Sequence, residues 1–336
     1  MAHIKKRKTR RRKKALLRML LLVCVISFVA VGGTATYFIY KLSNVTANTQ
    51  VELDRGDKSE RREQPVDPSK DNISVLILGL DDRDGELRGR TDAMLLATFN
   101  KELGSIKLLN IPRDSLVEIP GRLNRDKINH AHAFGGLEMT INTVENLFDI
   151  PVDYYVSLNF IAFMEIIDAL GGVEVEVPFT FSEMNSNDEK GTITLYEGMQ
   201  TLNGEEALAF SRMRKQDPRG DHGRGERQQE VIKGIISKAA SLSSITSYGD
   251  IMDSLESHLA TNLSFGNILA LHSYSSALND IESLTLRGTD VRINGGYYYD
   301  LTPDSVDELS KTFQSHLGLI EIEEPLENQE EETPSY

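Results

Sequence analysis

ISVLILGLDDRDGELRGRTDAMLLATFNKELGSIKLLNIPR, residues 73–113, decides the fold. Ile73–Leu80 is a short continuous apolar run, the pattern of a strand buried on both faces. Thr91–Asn100 repeats it, and Ser105–Arg113 follows the turn at Asn100–Gly104. Three such runs this close predict a central sheet whose faces need helical cover. Asp81 leaves the first predicted strand at its C-terminal end, where α/β sheets place their sites, and Asp92 opens the second. Two carboxylates from adjacent strand ends suit a hard cation such as Mg2+, which takes one or two carboxylates plus phosphate oxygens. The same aspartates could instead cap turns or pair with Arg83 and Arg90. Arg113 leaves the third strand at the same edge if the sheet is parallel there.

Upstream, residues 1–18 form a basic head, and residues 1–40 carry ten Lys and Arg with no Asp or Glu. The other 27 Lys and Arg face 51 Asp and Glu, an acidic balance that repels nucleic acid. Residues 19–40 hold no charge, and at about 1.5 Å per residue they span a hydrocarbon core of roughly 30 Å. The basic head places the N-terminus in the cytoplasm and the body outside. A cleaved signal peptide is the rival reading, but its apolar region usually runs only ~7–15 residues. The single cysteine, Cys24, lies in that span, so the outer part needs no disulfide. Residues 41–71 are polar and read as a linker, 72–319 as one folded domain, and 320–336 as an acidic disordered tail.

Downstream, residues 114–134 read as loop and 135–150 as a helix. Tyr154–Leu158 returns as a strand, and 159–172 is an amphipathic helix closed by Gly171-Gly172. Val173–Pro178 alternates like a strand with one wet face. Helices are predicted over 204–210, 227–242, 250–263, 264–280 and 302–318, the last with Pro303 in its first turn. His130 and His132 lack a third ligand at zinc spacing and read as structural or substrate-positioning. No GxxxxGK[ST], GxGxxG after a strand, GxSxG or HExxH is present, which leaves nucleotide cofactors and those nucleophile and zinc motifs unsupported.

The densest cationic stretch is AFSRMRKQDPRGDHGRGERQQE, residues 209–230. Arg212, Arg214, Lys215, Arg219, Arg224 and Arg227 crowd it, with Pro218, Gly220, Gly223 and Gly225 as breakers. Arginines turned inward around an anion, beside a helix N-terminus starting near Arg227, are one reading. A surface loop salt-bridged through Asp217, Asp221, Glu226 and Glu230 is the other. In an extended segment Arg212 and Arg214, two apart, would point the same way.

The motifs LGLDDR, GRTDAM, IPRDS, KINHAHAFGG, TVENLFDIPVDYYVSLNF, DALGGVEVEVP, LNGEEALAFSRMRKQDPRGD and GRGERQQEVI, over residues 72–242, resemble the LytR-CpsA-Psr family. The resemblance implies an α/β/α domain with a mixed sheet and a long apolar pocket, behind one N-terminal transmembrane helix. It implies a transferase that moves a glycopolymer, teichoic acid or capsular polysaccharide, from a polyprenyl-pyrophosphate carrier to a muramic-sugar hydroxyl of peptidoglycan. Carried over by motif, Asp81 and Asp92 match the Mg2+-binding aspartates, with Mn2+ as the alternative ion. Arg113, Arg212, Arg214 and Gln228 match residues around the pyrophosphate, and Arg83, Arg219 and Arg227 fall in the same motifs. Arg113, Arg212, Arg214 and Asp92 are the implied catalytic set, and the cytoplasmic membrane is the implied surface. His222 departs from the pattern, standing where an aromatic is expected. A non-catalytic lipid-binding scaffold and a pyrophosphatase using water remain the alternative functions; a transcriptional attenuator is disfavoured by the acidic body and the lack of a helix-turn-helix pattern.

Overall fold

The computed structural model describes residues 53–82, 87, 89–239, 255, 258–271, 273–274, 277 and 280–321. In chain order come β1 (Ile73–Leu80), β2 (Thr91–Asn100), β3 (Ser105–Asn110), β4 (Ser115–Val117), β5 (Asp126–Lys127) and α1 (His130–Phe148). Then follow β6 (Tyr154–Asn159), α2 (Phe160–Ala169), β7 (Val173–Val177), β8 (Phe181–Glu183), β9 (Ile193–Leu195), β10 (Gly198–Leu202) and α3 (Gly204–Arg212). The last elements are α4 (Asp221–Ala239), β11 (Leu259–Thr261), α5 (Phe265–Leu271), β12 (Ile281–Thr285), β13 (Gly288–Ile293), β14 (Gly296–Leu301) and α6 (Pro303–His316).

The central sheet has the order β11-β6-β1-β2-β3-β12. It is mixed: β1 pairs β6 in parallel, while β2 runs antiparallel to both β1 and β3. Side chains alternate between faces along each strand. Leu76, Leu78, Met94 and Leu96 therefore join Ile141, Val144 and Phe148 of α1 and Phe313 of α6 in one core. Val75, Leu95 and Ala97 join Ile232 of α4 in the other. Both faces are buried, which is why the strands read as continuous apolar runs. This is the expected helix–sheet–helix arrangement. A second sheet, β13-β14-β4-β5, stands beside it and matters for the site.

Several expectations are corrected. The stretch from Leu53 to Asp71, expected as part of a linker, packs onto the body. Leu53 is buried in the core, and Arg55 donates to Glu145 at 2.8 Å. Arg62 makes a two-pronged pair with Asp153 at 2.9 and 2.8 Å. These charges look like solvated linker in the sequence because their partners lie some ninety positions away. The region 114–134, expected as loop, contains β4, β5 and the start of α1, whose helix is broken at Gly135 and Gly136. Within the predicted helix 250–263, Leu259–Thr261 is instead a strand antiparallel to β6, because pairing with a sheet edge overrides a local helical pattern.

The expected membrane span, 19–40, and nearly all of the acidic tail lie outside the described residues. Among the described residues no helix is long and apolar enough to cross a membrane.

Candidate active site

The direction of β2 gathers the site. Because it runs antiparallel between β1 and β3, its first residues lie at the edge where those two strands end. Asp81 after β1, Asp92 at the start of β2 and Arg113 after β3 therefore share one edge, with β1 and β3 running in the same direction on either side of β2. Arg113 donates to Asp92 at 2.6 Å and lies 3.6 Å from Asp114. Burial works against the charged guanidinium, but Asp92 together with Asp114 and Asp221 outweighs it and raises the Arg113 pKa.

Helix α4 brings the second half. It starts at Asp221, six residues before the expected start at Arg227, and runs through both glycines. Those glycines are close-approach positions rather than turns. A Cβ at Gly223 would stand 1.8 Å from an Asp217 carboxylate oxygen, and one at Gly225 would stand 2.8 Å from the Asn110 side-chain oxygen. Gly220 does turn the chain, with φ +57°. With α4 pressed against β3, Asn110 donates to Gln228 at 2.8 Å. Arg224, one helical turn before Gln228, lies on the same face. Burial lowers its pKa, and Arg113 and Arg214 push the same way against Asp221 and Asp92. Arg224 is also paired with Asp221 at 2.7 Å, and Asp92 and Asp114 stand beside Arg113, so the guanidinium groups at the site share a small set of carboxylates.

Two cavities of opposite character meet here. One, about 650 Å3, is lined by Arg113, Arg214, Arg219 and other polar groups. The other, about 170 Å3, is lined mainly by apolar side chains, including Ile77, Leu95, Phe160, Phe163 and Ile232. Ile77 faces Leu95 and Gly79 faces Ala93 across β1 and β2, so the cavity floor is one face of the sheet. Asp92, Arg224 and Gln228 line both cavities. The apolar cavity is below the roughly 300–1,000 Å3 usual for a ligand pocket, so within the described residues it holds part of a long chain at most.

The expected residues separate into groups. Arg212 ends α3, so it does not sit in an extended segment with Arg214. Arg212 lines the apolar cavity, 5.0 Å over the Phe160 ring and 3.1 Å from Asp188, whereas Arg214 lines the polar one. One nitrogen of Arg212 and the Nε of Arg113 are buried without a hydrogen-bond partner among the described residues. Arg219 lines the polar cavity and pairs with Glu226 at 2.5 Å. Arg227 lines neither cavity. It is buried, donates to Asp217 at 2.5 Å and to the Phe210 carbonyl at 3.0 Å, and also bonds the Met213 carbonyl. It fastens the 213–220 loop to α4. Arg83 lies outside the described residues.

Asn110 is a site residue that the sequence does not single out. Arg224, part of the cationic stretch and four positions before Gln228, gains its place on the same face from the early start of α4 at Asp221. His222 fills the expected aromatic position by packing edge-on against Tyr299, with ring centroids 5.5 Å apart. His132 bonds the Gly89 carbonyl at 2.9 Å, and burial lowers its pKa, in line with a structural role. Among the described residues no group of three or more His, Cys, Asp or Glu converges on a metal position. Asp81 and Asp92 both line the apolar cavity, so the donor set is two carboxylates. Two carboxylates fit Mg2+ when phosphate oxygens complete its shell.

TagU of Bacillus subtilis (strain 168), a polyisoprenyl-teichoic acid–peptidoglycan teichoic acid transferase, is 41% identical over 317 residues, covering 93% of this chain and 97% of its own. A solved structure of TagT bound to LIIa-WTA superposes with a TM-score of 0.70 at 42% identity, over 80% of this chain and 99% of that one. A structure of TagT from the same family with bound octaprenyl pyrophosphate lipid gives 0.65 at 39% identity, again over 80% and 99%. The family model matches residues 36–315, well beyond the motif span of 72–242, and this chain belongs to the LytR_cpsA_psr family.

Proposed function

We propose that this protein is a phosphotransferase that moves an anionic glycopolymer of the teichoic acid class from a polyprenyl-pyrophosphate carrier to a peptidoglycan hydroxyl. The observation that carries this is the meeting of an apolar and a cationic cavity at Asp92, Arg224 and Gln228. A lipid pyrophosphate has that same division: an apolar chain joined to two phosphates. The prenyl end enters between the sheet face and Phe160 and Phe163, and the pyrophosphate lies at the junction against Arg113, Arg212, Arg214 and Arg224.

The acceptor hydroxyl oxygen attacks the phosphorus that carries the sugar. Its bond to the bridging oxygen breaks, and polyprenyl phosphate leaves with the bonding pair. Negative charge grows on that bridging oxygen, and the guanidinium groups at the junction stabilise it. Asp81 or Asp92 can take the hydroxyl proton, a role with which metal ligation competes, and Asp221, paired with Arg224 at 2.7 Å, is the weaker alternative. In a loose transition state, orientation of the hydroxyl matters more than its deprotonation. Asp81 and Asp92 would hold Mg2+, or Mn2+ in its place, together with pyrophosphate oxygens, and the ion would neutralise phosphate charge. Arg219 supports the polar rim, and Arg227 positions the loop that carries Arg214. The uncharged span at residues 19–40 behind its basic head supports a single-pass anchor, with the catalytic domain outside the cytoplasmic membrane.

The test uses full-length protein in detergent with Mg2+, a lipid-linked donor and a peptidoglycan glycan oligomer. Polymer-bearing glycan and released polyprenyl phosphate are measured together. Both should appear only when all components are present. Release without acceptor would identify a pyrophosphatase, and retained lipid without release a scaffold.

A further inference from the structure

The polar cavity extends past the arginines to a wall that phosphate chemistry does not explain. That wall is the β13–β14 hairpin. Register pairs Asp290 with Tyr299 and Arg292 with Tyr297, and residues two apart on a strand share a face. All four line the cavity, and Lys127 and His222 line it beside them. Tyr299 is buried and supports the wall, packed against His222 and bonded to the Leu286 carbonyl at 3.3 Å. Tyr297 is half-buried, and its hydroxyl donates to Asp290 at 2.9 Å, which fixes its ring. Lys127 is held by Asp114 at 2.6 Å. Asp290 and Arg292 are exposed.

A fixed aromatic ring flanked by a carboxylate and two cations suits a sugar. The C–H face of a pyranose lies on an aromatic ring, and its hydroxyls take charge-assisted hydrogen bonds. Two sugars could come here, the first sugar of the donor or the acceptor glycan. Position decides between them. The leaving lipid phosphate departs toward the apolar cavity, and in phosphoryl transfer the attacking oxygen approaches roughly in line from the opposite side. The two cavities share only Asp92, Arg224 and Gln228 among their described lining residues, so the polar cavity, lined by both the arginines and the hairpin, leads away from the apolar one. We propose that the β13–β14 wall, through Tyr297 and Arg292, binds a pyranose ring of the acceptor glycan and presents its hydroxyl to the pyrophosphate. This rests on the transferase reading above.

The test compares wild type with Arg292→Ala, Tyr297→Ala and Tyr297→Phe, all full-length. Transfer is measured against acceptor concentration at saturating donor and against donor concentration at saturating acceptor. Direct binding of the glycan oligomer alone is followed by saturation-transfer NMR. Arg292→Ala should raise the acceptor KM about tenfold, the size expected for a lost charge-assisted hydrogen bond, with kcat and donor KM unchanged. Tyr297→Ala should raise it about fivefold, while Tyr297→Phe keeps the ring and stays near wild type. Arg292 is exposed, so its variant keeps the test valid even if Tyr297→Ala folds poorly. An unchanged acceptor KM in Arg292→Ala, or a rise in donor KM instead, overturns the proposal; the second result would mark a donor-sugar wall. Should wild type not transfer at all, weakened glycan binding in the variants would still uphold the wall while the transferase reading falls.

Discussion

The two ends of the central sheet treat charge in opposite ways. At the end where β1 begins and β2 finishes, ionic and polar side chains are buried and closed. Asp153 takes two bonds from Arg62 and further bonds from the Ser74 backbone and hydroxyl. Glu145 takes Arg55, Ser59 and the Val152 N–H, and His316 is held between Thr98 and Ser105. At the other end, one nitrogen each of Arg113 and Arg212 is buried without a hydrogen-bond partner among the described residues, and Arg113, Arg212 and Arg224, although paired with Asp92, Asp188 and Asp221, line the cavities. Closed charges hold a fold together; incompletely matched ones are available to a ligand. The same residue types therefore do different work, and the distinction is open to measurement.

The largest effects should separate struts from ligands. Arg62→Ala leaves Asp153 buried without its cation and should cost about 3–5 kcal/mol of stability in urea unfolding, with lipid affinity intact. Arg227→Ala should lose stability in the same way although it lies at the site end, since buried Asp217 loses its nearest cation, and its lipid affinity should fall no further than that of Arg214→Ala, whose loop it positions. If Arg227→Ala instead kept its stability and lost only lipid affinity, the strut assignment would be wrong.

Arg113→Ala should do the reverse. Removing a donor aimed at developing charge costs about 10²–10³ in rate, so transfer should collapse while octaprenyl pyrophosphate is still retained, as read by mass spectrometry of the purified protein.

His316 tests the closed end by pH. Burial first, and Lys107 second, depress its pKa from 6.5 to about 4. The unfolded chain then takes up the proton more readily, so the stabilisation is complete above pH 6.5 and is lost as pH falls toward 4. The loss should reach up to about 3 kcal/mol and should vanish in His316→Gln. Measuring urea midpoints between pH 7 and 4 checks it.

The smallest effect belongs to Arg214→Ala. Its side chain is 49% exposed, so solvent screens it, and pyrophosphate affinity should fall only about fivefold, more at low salt than at high.

Much of this was legible in residues 73–113. Continuous apolar runs meant strands buried on both faces, and Asp81, Asp92 and Arg113 at the strand ends meant one shared edge. The route to that edge was not legible, because an apolar run does not state its direction. Of the glycines at 220–225 only Gly220 turns the chain. Gly223 and Gly225 look like breakers in sequence, and only the nearness of Asp217 and Asn110 shows why no Cβ fits there. Read as breakers, they hide the first turns of α4, and with them the place of Arg224.

What the sequence by itself determined is local and chemical: the strand cores, the C-terminal helix with Pro303 in its first turn, the acidic body, the arginine supply and the family motifs. These follow from side-chain periodicity and residue type, which act over a few neighbours. The tertiary structure alone decided which charges are closed. Arg62 and Arg227 are struts because Asp153 and Asp217 are buried beside them. Arg113 and Arg224 face a cavity because β2 runs antiparallel and α4 starts early. Pairing is a matter of distance in space, and contacts spanning ninety positions leave no periodic trace in the chain.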